Sequence, residues 1–234
     1  MAIVFSPVDG KELDSHYAPR PRHAFLMLHS GDAVSAIEQE MATAVRASLT
    51  DLRFIPIAAT DIPATGDFLS KIVDLIRGCG FGVAIYSDQT PSRTLGNIFF
   101  EIGISHLLGK PVQLLVAGRN PTPSDFVRTE WLPYDQADRN ASIAKLRDSL
   151  KAIEQQAEQF FKLGEVMMEA DVIDYELAFE RFKQAVLISG HEEARQRIAL
   201  LAGQLGSSSA TQSSMANHRQ RLRGTIGHFL RLLP

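Results

Sequence analysis

A single carboxylate interrupts an apolar helical pattern in the middle of the chain and is the first candidate for chemistry. Residues 97–108 read NIFFEIGISHLL, in which Glu101 is the only acidic residue. Asn97, Glu101 and Ser105 are four residues apart, so they lie on one face of a helix. A carboxylate in the first turns of a helix lies near the positive end of the helix dipole, which favours its ionised form. An ionised Glu101 could stabilise or attack a ribose that becomes positively charged as its base departs.

The residues around this helix predict the elements that position Glu101. Apolar runs at 83–86 and 112–117 predict two buried strands, with the helix between them. A strand, a crossover helix and a strand within so few residues form a unit with parallel, neighbouring strands. Ligands of such sheets bind at the carboxyl ends of the strands, where the predicted loop 87–96 and the beginning of the helix lie.

Small polar residues after the first predicted strand, 24–28, are candidates for ligand binding. Ser30, Gly31 and Asp32 follow this strand, at the position where α/β folds place phosphate or ribose contacts. The stretch matches neither a Gly-x-Gly-x-x-Gly dinucleotide loop nor a Walker A sequence. The pattern therefore predicts substrate contacts at this turn without naming the substrate.

Three further residues near Glu101 complete the predicted site. Ser87 and Asp88 follow the third strand, and Asp88 fits an acceptor for a ribose hydroxyl, although a loop Asp can also form only an Asx turn. Asn97 can hold a ribose hydroxyl through its amide or cap the helix. Glu101 itself has a second interpretation, in which it only satisfies backbone donors at the beginning of the helix.

The sequence NIFFEIGISHLLGKPV, residues 97–112, resembles a family signature. Bacterial TIR-like nucleotide-binding domains usually carry N-x-x-x-E-x-G-x-A-x-x-x-G-K-P, and nucleoside 2-deoxyribosyltransferase-like proteins share its second half. The similarity runs over about residues 24–135. It implies a parallel flavodoxin-like sheet with helices on both faces, followed by an α-helical C-terminal region. Leu95 and Gly96 stand where the family form has Asn and Pro, and residues 91–94 form an insert.

The same resemblance implies a function. In deoxyribosyltransferase-like enzymes the Glu that matches Glu101 is the nucleophile, and in TIR-type NADases a Glu supports the release of nicotinamide. The chain is therefore expected to be an NADase with NAD as substrate and no cofactor. TIR-like domains often need oligomerisation, which implies a homo-oligomer, and bacterial members often serve in anti-phage defence. The alternatives are a non-catalytic nucleotide-sensing module, and a nucleoside deoxyribosyltransferase or deoxynucleotide N-glycosidase.

Composition limits the compartment and the partners. The 234 residues carry a net charge of −3, which gives no bulk electrostatic case for nucleic acid. Cys79 is the only cysteine, so an internal disulfide is impossible, and the cysteine and histidine spacing does not suggest a zinc site. No run approaches about 20 apolar residues, and the N-terminus does not resemble a signal peptide, so we expect a cytoplasmic protein without a membrane span.

The remaining pattern divides the chain into five parts. The predicted parts are an N-terminal arm (1–22), a TIR-like α/β nucleotide-binding domain (23–137), a helical domain (138–205), a Gly/Ser-rich linker (206–214) and a basic C-terminal helix (215–234). The helical domain is expected to pack on the sheet or on a second subunit, and it offers a surface for a protein partner. The C-terminal helix could dock on its own chain through Ile226, Phe229 and Leu230, or contact an anionic partner through its arginines.

Overall fold

The structure is a computed structural model that describes residues 17–31, 34–63, 68–119, 131–169, 174–207 and 213–234. Side chains are not described for residues 206, 207 and 213–216. Most of the predicted N-terminal arm, Asp32 and residues 208–212 of the predicted linker lie outside the described residues. Among the helices in the described ranges, none combines the length and the hydropathy that a membrane crossing needs.

A five-stranded parallel sheet forms the centre of the molecule. Its strands are β1 (His23–Leu28), β2 (Ile55–Ala58), β3 (Phe81–Ser87), β4 (Val112–Ala117) and β5 (Trp131–Tyr134). The strand order is β2-β1-β3-β4-β5, and every neighbouring pair is parallel. This order is that of a flavodoxin-like fold, which confirms the predicted fold class, and its topological switch point lies between β1 and β3.

Seven α-helices connect and follow the strands in the described part of the chain. They are α1 (Ala36–Asp51), α2 (Phe68–Gly78), α3 (Ser92–Leu107), α4 (Arg139–Glu169), α5 (Tyr175–Ser189), α6 (Glu192–Ser207) and α7 (Ser213–Leu232), with one 3₁₀ turn at Ala59–Asp61. Side chains alternate along the strands, so each face of the sheet buries its own set. Leu26 of β1 packs in a core with α1 and α4, whereas Phe25 and Met27 pack in a core with α2 and α3.

Helix α3 begins five residues earlier than the sequence pattern predicts. Its first residue is Ser92, the preceding Pro91 occupies the N-cap position, and the N–H of Leu95 donates to the carbonyl of Pro91 at 2.9 Å. Residues 91–94, predicted as a loop insert, therefore form the beginning of the helix. Polar residues suit this turn because it faces solvent. The ring of Pro91 fixes φ at a helical value, which favours the beginning of a helix here. Glu101 consequently lies in the third turn of α3, which corrects its predicted place in the first turns.

The C-terminal helices form a third apolar cluster beside the sheet. Phe179 and Phe182 of α5 are buried in it together with Ile226 and Phe229 of α7. The apolar face of α7 is thus covered by its own chain, as the docking alternative predicts. At the other side of α5, Ile188 belongs to the core of the sheet, and the N–H of Arg22 donates to the carbonyl of Leu187 at 2.9 Å. The end of α5 is therefore attached to the amino-terminal edge of the sheet.

Candidate functional site

A cavity of about 320 Å³ opens at the carboxyl edge of the sheet, between α2 and α3. Its walls come from the ends of β1 and β2 and from the facing surfaces of these two helices. The polar and aromatic lining residues are Phe25, Ser30, Thr60, Phe68, Thr94, Asn97, Phe100 and Glu101. The location is the one that parallel α/β sheets use for ligands, next to the topological switch point.

Glu101 lies in the wall of this cavity with a partly exposed side chain. Burial raises the pKa of Glu101 to about 7. Within the described residues, no hydrogen bond or ion pair reaches its carboxylate. The sequence predicts stabilisation of the ionised form by the helix dipole, but this prediction is wrong because the residue lies too far from the helix end. The carboxylate is instead an uncompensated, partly desolvated group that faces the cavity, which is a feature of functional sites.

Asn97 lies one turn before Glu101 and lines the same cavity. It does not cap α3, because it is an interior residue of that helix. Phe100 also lines the cavity with 52% of its surface exposed, and Phe68 faces it from α2 with 56% exposed. Neither aromatic ring belongs to an apolar core. Exposed aromatic faces beside a cavity are suited to stacking on a planar base.

Ser105, the third residue of the predicted polar face, does not line the cavity. Its side chain is buried, and its hydroxyl donates to the carbonyl of Glu101 at 2.8 Å. The Gly109-Lys110 part of the motif is also structural. Gly109 has a φ of 66° after the helix ends, and the buried Lys110 ammonium donates to the carbonyl of Cys79 at 2.7 Å. These residues hold the fold, so only the first half of the motif reaches the cavity.

The three residues that are predicted to contact a ligand after the first strand have three different outcomes. Ser30 is exposed and lines the cavity of Glu101. Gly31 lines a second cavity on the α1 side of the sheet. Asp32 lies outside the described residues.

Ser87 and Asp88 do not line the cavity of Glu101. The hydroxyl of Ser87 is buried and donates to Glu38 Oε1 at 3.3 Å. Asp88 is exposed, and its carboxylate lies against Gly118, since a Cβ at Gly118 would fall 2.3 Å from the Asp88 carboxyl carbon. A ligand confined to the cavity of Glu101 would therefore not meet either residue, and their role in binding stays a prediction.

The sequence reasoning missed Glu38, a buried carboxylate at the switch point. Its side chain is 4% exposed. The Ser35 hydroxyl donates to Oε2 at 2.9 Å, the Thr90 hydroxyl donates to Oε1, and His29 Nδ1 lies 3.3 Å from Oε2. Burial raises the pKa of Glu38, but the hydrogen bonds from Thr90, Ser35 and His29 together lower it below its ordinary value. The Ser-x-x-Glu capping box at 35–38 is a sequence signal that could have revealed this residue.

Replacing Glu38 by Ala is expected to lower the free energy of unfolding by about 2–4 kcal/mol, because several hydrogen bonds to a charged group are lost. Because the folded-state pKa is lowered, the contribution of Glu38 is present above its ordinary pKa and disappears as the pH falls through the folded-state value. Urea unfolding of both proteins at pH 7 and pH 3 measures the difference in their free energies of unfolding. The wild type and the variant should differ at pH 7 and converge in part at pH 3; an equal difference at both values would contradict the ionised state.

Glu101 has the opposite effect on stability. Its folded-state pKa of about 7 exceeds its ordinary value of 4.5, so the folded state binds more protons and loses stability as the pH rises between these values. Each unit of such a shift costs about 1.4 kcal/mol. The Glu101→Gln variant should therefore be more stable than the wild type at pH 8, by at most about 3 kcal/mol and by less because water screens the partly exposed carboxylate. The two proteins should be similar at pH 4.5. Thermal unfolding across this range tests the prediction, which fails if the difference between the two proteins does not change with pH.

The remaining reactive groups do not add a metal or thiol function to the site. Within the described ranges, no group of three or more His, Cys, Asp or Glu side chains could hold a metal ion. Cys79 is fully buried, and burial raises the pKa of its thiol to about 12. Trp131 and Tyr134 lie on β5 and do not line the cavity of Glu101; the Tyr134 hydroxyl donates to Glu40 at 2.7 Å.

No protein-family model matches the chain, and no curated protein matches it significantly. The two cavities and the motif at 97–111 are therefore the features from which a function can be proposed.

Proposed function

We propose that the chain is a nucleotide-binding N-glycosidase of the TIR-like kind, with NAD as the substrate and Glu101 as the catalytic residue. The observation that carries the proposal is an unpaired carboxylate, partly desolvated, in the wall of a cavity at the ligand-binding edge of a parallel sheet. The motif around Glu101 supports the same reaction class.

The proposed reaction breaks the bond between C1′ of the ribose and the nitrogen of nicotinamide. The electron pair of that bond leaves with the nicotinamide, which departs as a neutral base, and positive charge develops on C1′ and the ring oxygen. The carboxylate of Glu101 stabilises this charge or bonds to C1′. Water then adds to C1′ and releases one proton, which gives ADP-ribose. Asn97, one turn away on the same helix, is placed to hold a ribose hydroxyl.

The pKa of Glu101 sets the expected pH dependence. A carboxylate that stabilises positive charge or acts as nucleophile must be ionised, so base release should increase as the pH rises through about 7. A general acid would give the opposite dependence. The direction in which the rate changes with pH therefore shows whether the reaction uses the ionised or the protonated form of Glu101.

The cavity size favours a second candidate, a nucleoside deoxyribosyltransferase or deoxynucleotide N-glycosidase. A volume of about 320 Å³ lies at the lower end of ligand pockets, and one nucleoside unit suits it better than an entire dinucleotide. The reaction at C1′ and the role of Glu101 are the same in both candidates. A non-catalytic nucleotide sensor is the third possibility, and it predicts binding without turnover.

The experiment that separates these candidates measures base release by chromatography at high protein concentration. The purified chain is incubated separately with NAD and with each common deoxynucleoside. Nicotinamide from NAD alone supports the NADase, and a free base from a deoxynucleoside supports the second candidate. Binding of NAD by calorimetry without any product would identify a sensor, and the absence of both binding and product would refute the proposal.

The same proposal includes assembly into a homo-oligomer and a role in anti-phage defence, both on the basis of the resemblance. If assembly completes the site, specific activity should rise with protein concentration in parallel with the sedimentation coefficient. A specific activity that is constant while the protein stays monomeric would remove oligomerisation from the proposal and leave the chemistry of Glu101 unaffected.

A further inference from the structure

Two cavities open at the end of β1, on opposite faces of the sheet. The first contains Glu101 and lies on the side of α2 and α3. The second, of about 620 Å³, lies on the side of α1. Leu28, the last residue of β1, lines both. The two cavities are therefore neighbours across the turn that follows this strand.

The described part of the turn between the cavities, Ser30 and Gly31, is exposed. Ser30 lines the first cavity and Gly31 the second, and both are exposed. Gly31 has a φ of 111°, and a Cβ at this position would have no atom within 4 Å. A ligand can therefore cross from one cavity to the other close to the backbone of this turn, and a charged group at the crossing would remain in contact with water.

The second cavity has a mixed apolar and polar lining. Apolar side chains of Leu28, Val34, Ala42 and Ile85 form one part of it. Polar side chains from α1, namely Gln39, Thr43 and Arg46, form the rim. Such a lining can contact the apolar face of a base and form hydrogen bonds with the polar groups of a nucleoside.

His29 adds an oriented polar group to the second cavity. Its Nδ1 lies 3.3 Å from Glu38 Oε2, and its side chain is 9% exposed. The described residues provide no partner for Nε2. A neutral imidazole that donates through Nδ1 to Glu38 keeps Nε2 as an acceptor. Arg46 contributes positive charge at the rim and is held by Asp61 at 3.2 Å.

We propose that the two cavities form one site for a dinucleotide. The first cavity holds the nucleoside that loses its base, the second holds the other nucleoside, and the diphosphate crosses the turn at Ser30 and Gly31. The inference rests on the proposed function for the identity of the reacting half. The cavity of about 320 Å³ is small for an entire dinucleotide. In a site made of both cavities, it needs to hold only one half of NAD.

The test compares NAD with nicotinamide mononucleotide, which has the same reacting nucleoside and lacks the second one. Calorimetry with the full-length Glu101→Gln variant gives affinities without turnover, and wild-type kinetics give kcat/KM for both compounds. We expect NAD to bind at least tenfold more tightly. A Thr43→Trp substitution, which fills the second cavity, should weaken NAD binding at least tenfold and leave the mononucleotide affinity unchanged.

Thr50→Trp is the matched control. Thr50 is also exposed on α1, its hydroxyl donates to the carbonyl four residues earlier as that of Thr43 does, and it does not line the second cavity. Gln39→Trp serves as a second filling variant if Thr43→Trp does not fold. Equal affinities for the two compounds, or equal effects of the Thr43 and Thr50 variants, would overturn the dinucleotide site even if base release occurs. Selective loss of NAD binding without base release would support the site and refute the glycosidase.

Discussion

The Glu101→Gln variant is expected to release base from the substrate at a rate lower than that of the wild type by a factor on the order of 10²–10³, the range found when one group that stabilises transition-state charge is removed. Glutamine has nearly the shape of protonated glutamate, so the cavity should keep its form. It carries no charge at any pH, and it therefore cannot stabilise an oxocarbenium-like ribose or form a bond to C1′. The loss should appear in kcat, while KM changes much less, because the interaction is strongest in the transition state.

Single-turnover kinetics at pH 8 give the cleanest measurement, because at that pH most of the wild-type Glu101 is ionised. The matched control is Arg93→Gln, an exposed residue of the same helix that does not line the cavity. It should retain wild-type activity. If Glu101→Gln keeps more than half of the wild-type rate at pH 8, Glu101 is not the catalytic residue, whatever substrate the chain uses.

The fold could be predicted from the sequence because alternation of apolar strands and amphipathic helices is a local signal. Strand β4 occupies the predicted residues 112–117. Element ends were harder to predict. Helix α3 begins at Ser92 because Pro91 and the polar residues after it are compatible with a first helical turn, although the same residue types also suit a loop.

The candidate site could be predicted only in part. Glu101, Asn97 and Ser30 line one cavity. Their proximity could be predicted because the sequence indicates both the helical spacing of Asn97 and Glu101 and the end of the strand before Ser30. The raised pKa of Glu101 could not be predicted from the sequence, since it depends on how other elements bury this side chain. Phe100 shows the same limit, because an apolar residue on an apolar helix is expected in the core and here faces a cavity.

Long-range contacts explain why Glu38 was missed and why Ser87 does not line the cavity of Glu101. Glu38 receives hydrogen bonds from Ser87 and Thr90, about 50 residues further along the chain. The strand order brings β1 beside β3 and makes this contact possible. A sequence pattern shows that Ser87 follows a strand, but only the packing decides whether its hydroxyl meets a ligand or a buried carboxylate.

A large effect on stability is expected at Gly80, between α2 and β3. A Cβ there would lie 2.5 Å from the carbonyl oxygen of Leu187 and 2.7 Å from the Cα of Ile188. Both atoms belong to the backbone of α5, which cannot move aside as a flexible side chain can. Gly80→Ala should therefore push the end of α5 away from the sheet and cost about 3 kcal/mol, the upper part of the usual range for overpacking. For a chain of this size, the melting temperature should fall by roughly 6–12 °C.

Two other glycines separate this steric effect from the general cost of replacing glycine. At Gly82 a Cβ would lie 2.5 Å from the terminal Cε of Met27, and its next neighbours, in Val112 and Phe25, are at ordinary contact distances of 3.6 and 3.7 Å. A methionine end can rotate away, so Gly82→Ala should cost about 1 kcal/mol. At Gly103, inside α3, no atom lies within 4 Å, and alanine should stabilise the helix by up to about 1 kcal/mol. Differential scanning calorimetry of the three variants tests this order. If Gly80→Ala melts within a degree of Gly103→Ala, α5 does not press on the sheet at this point, and the attachment between the C-terminal helices and the sheet is looser than the structure shows.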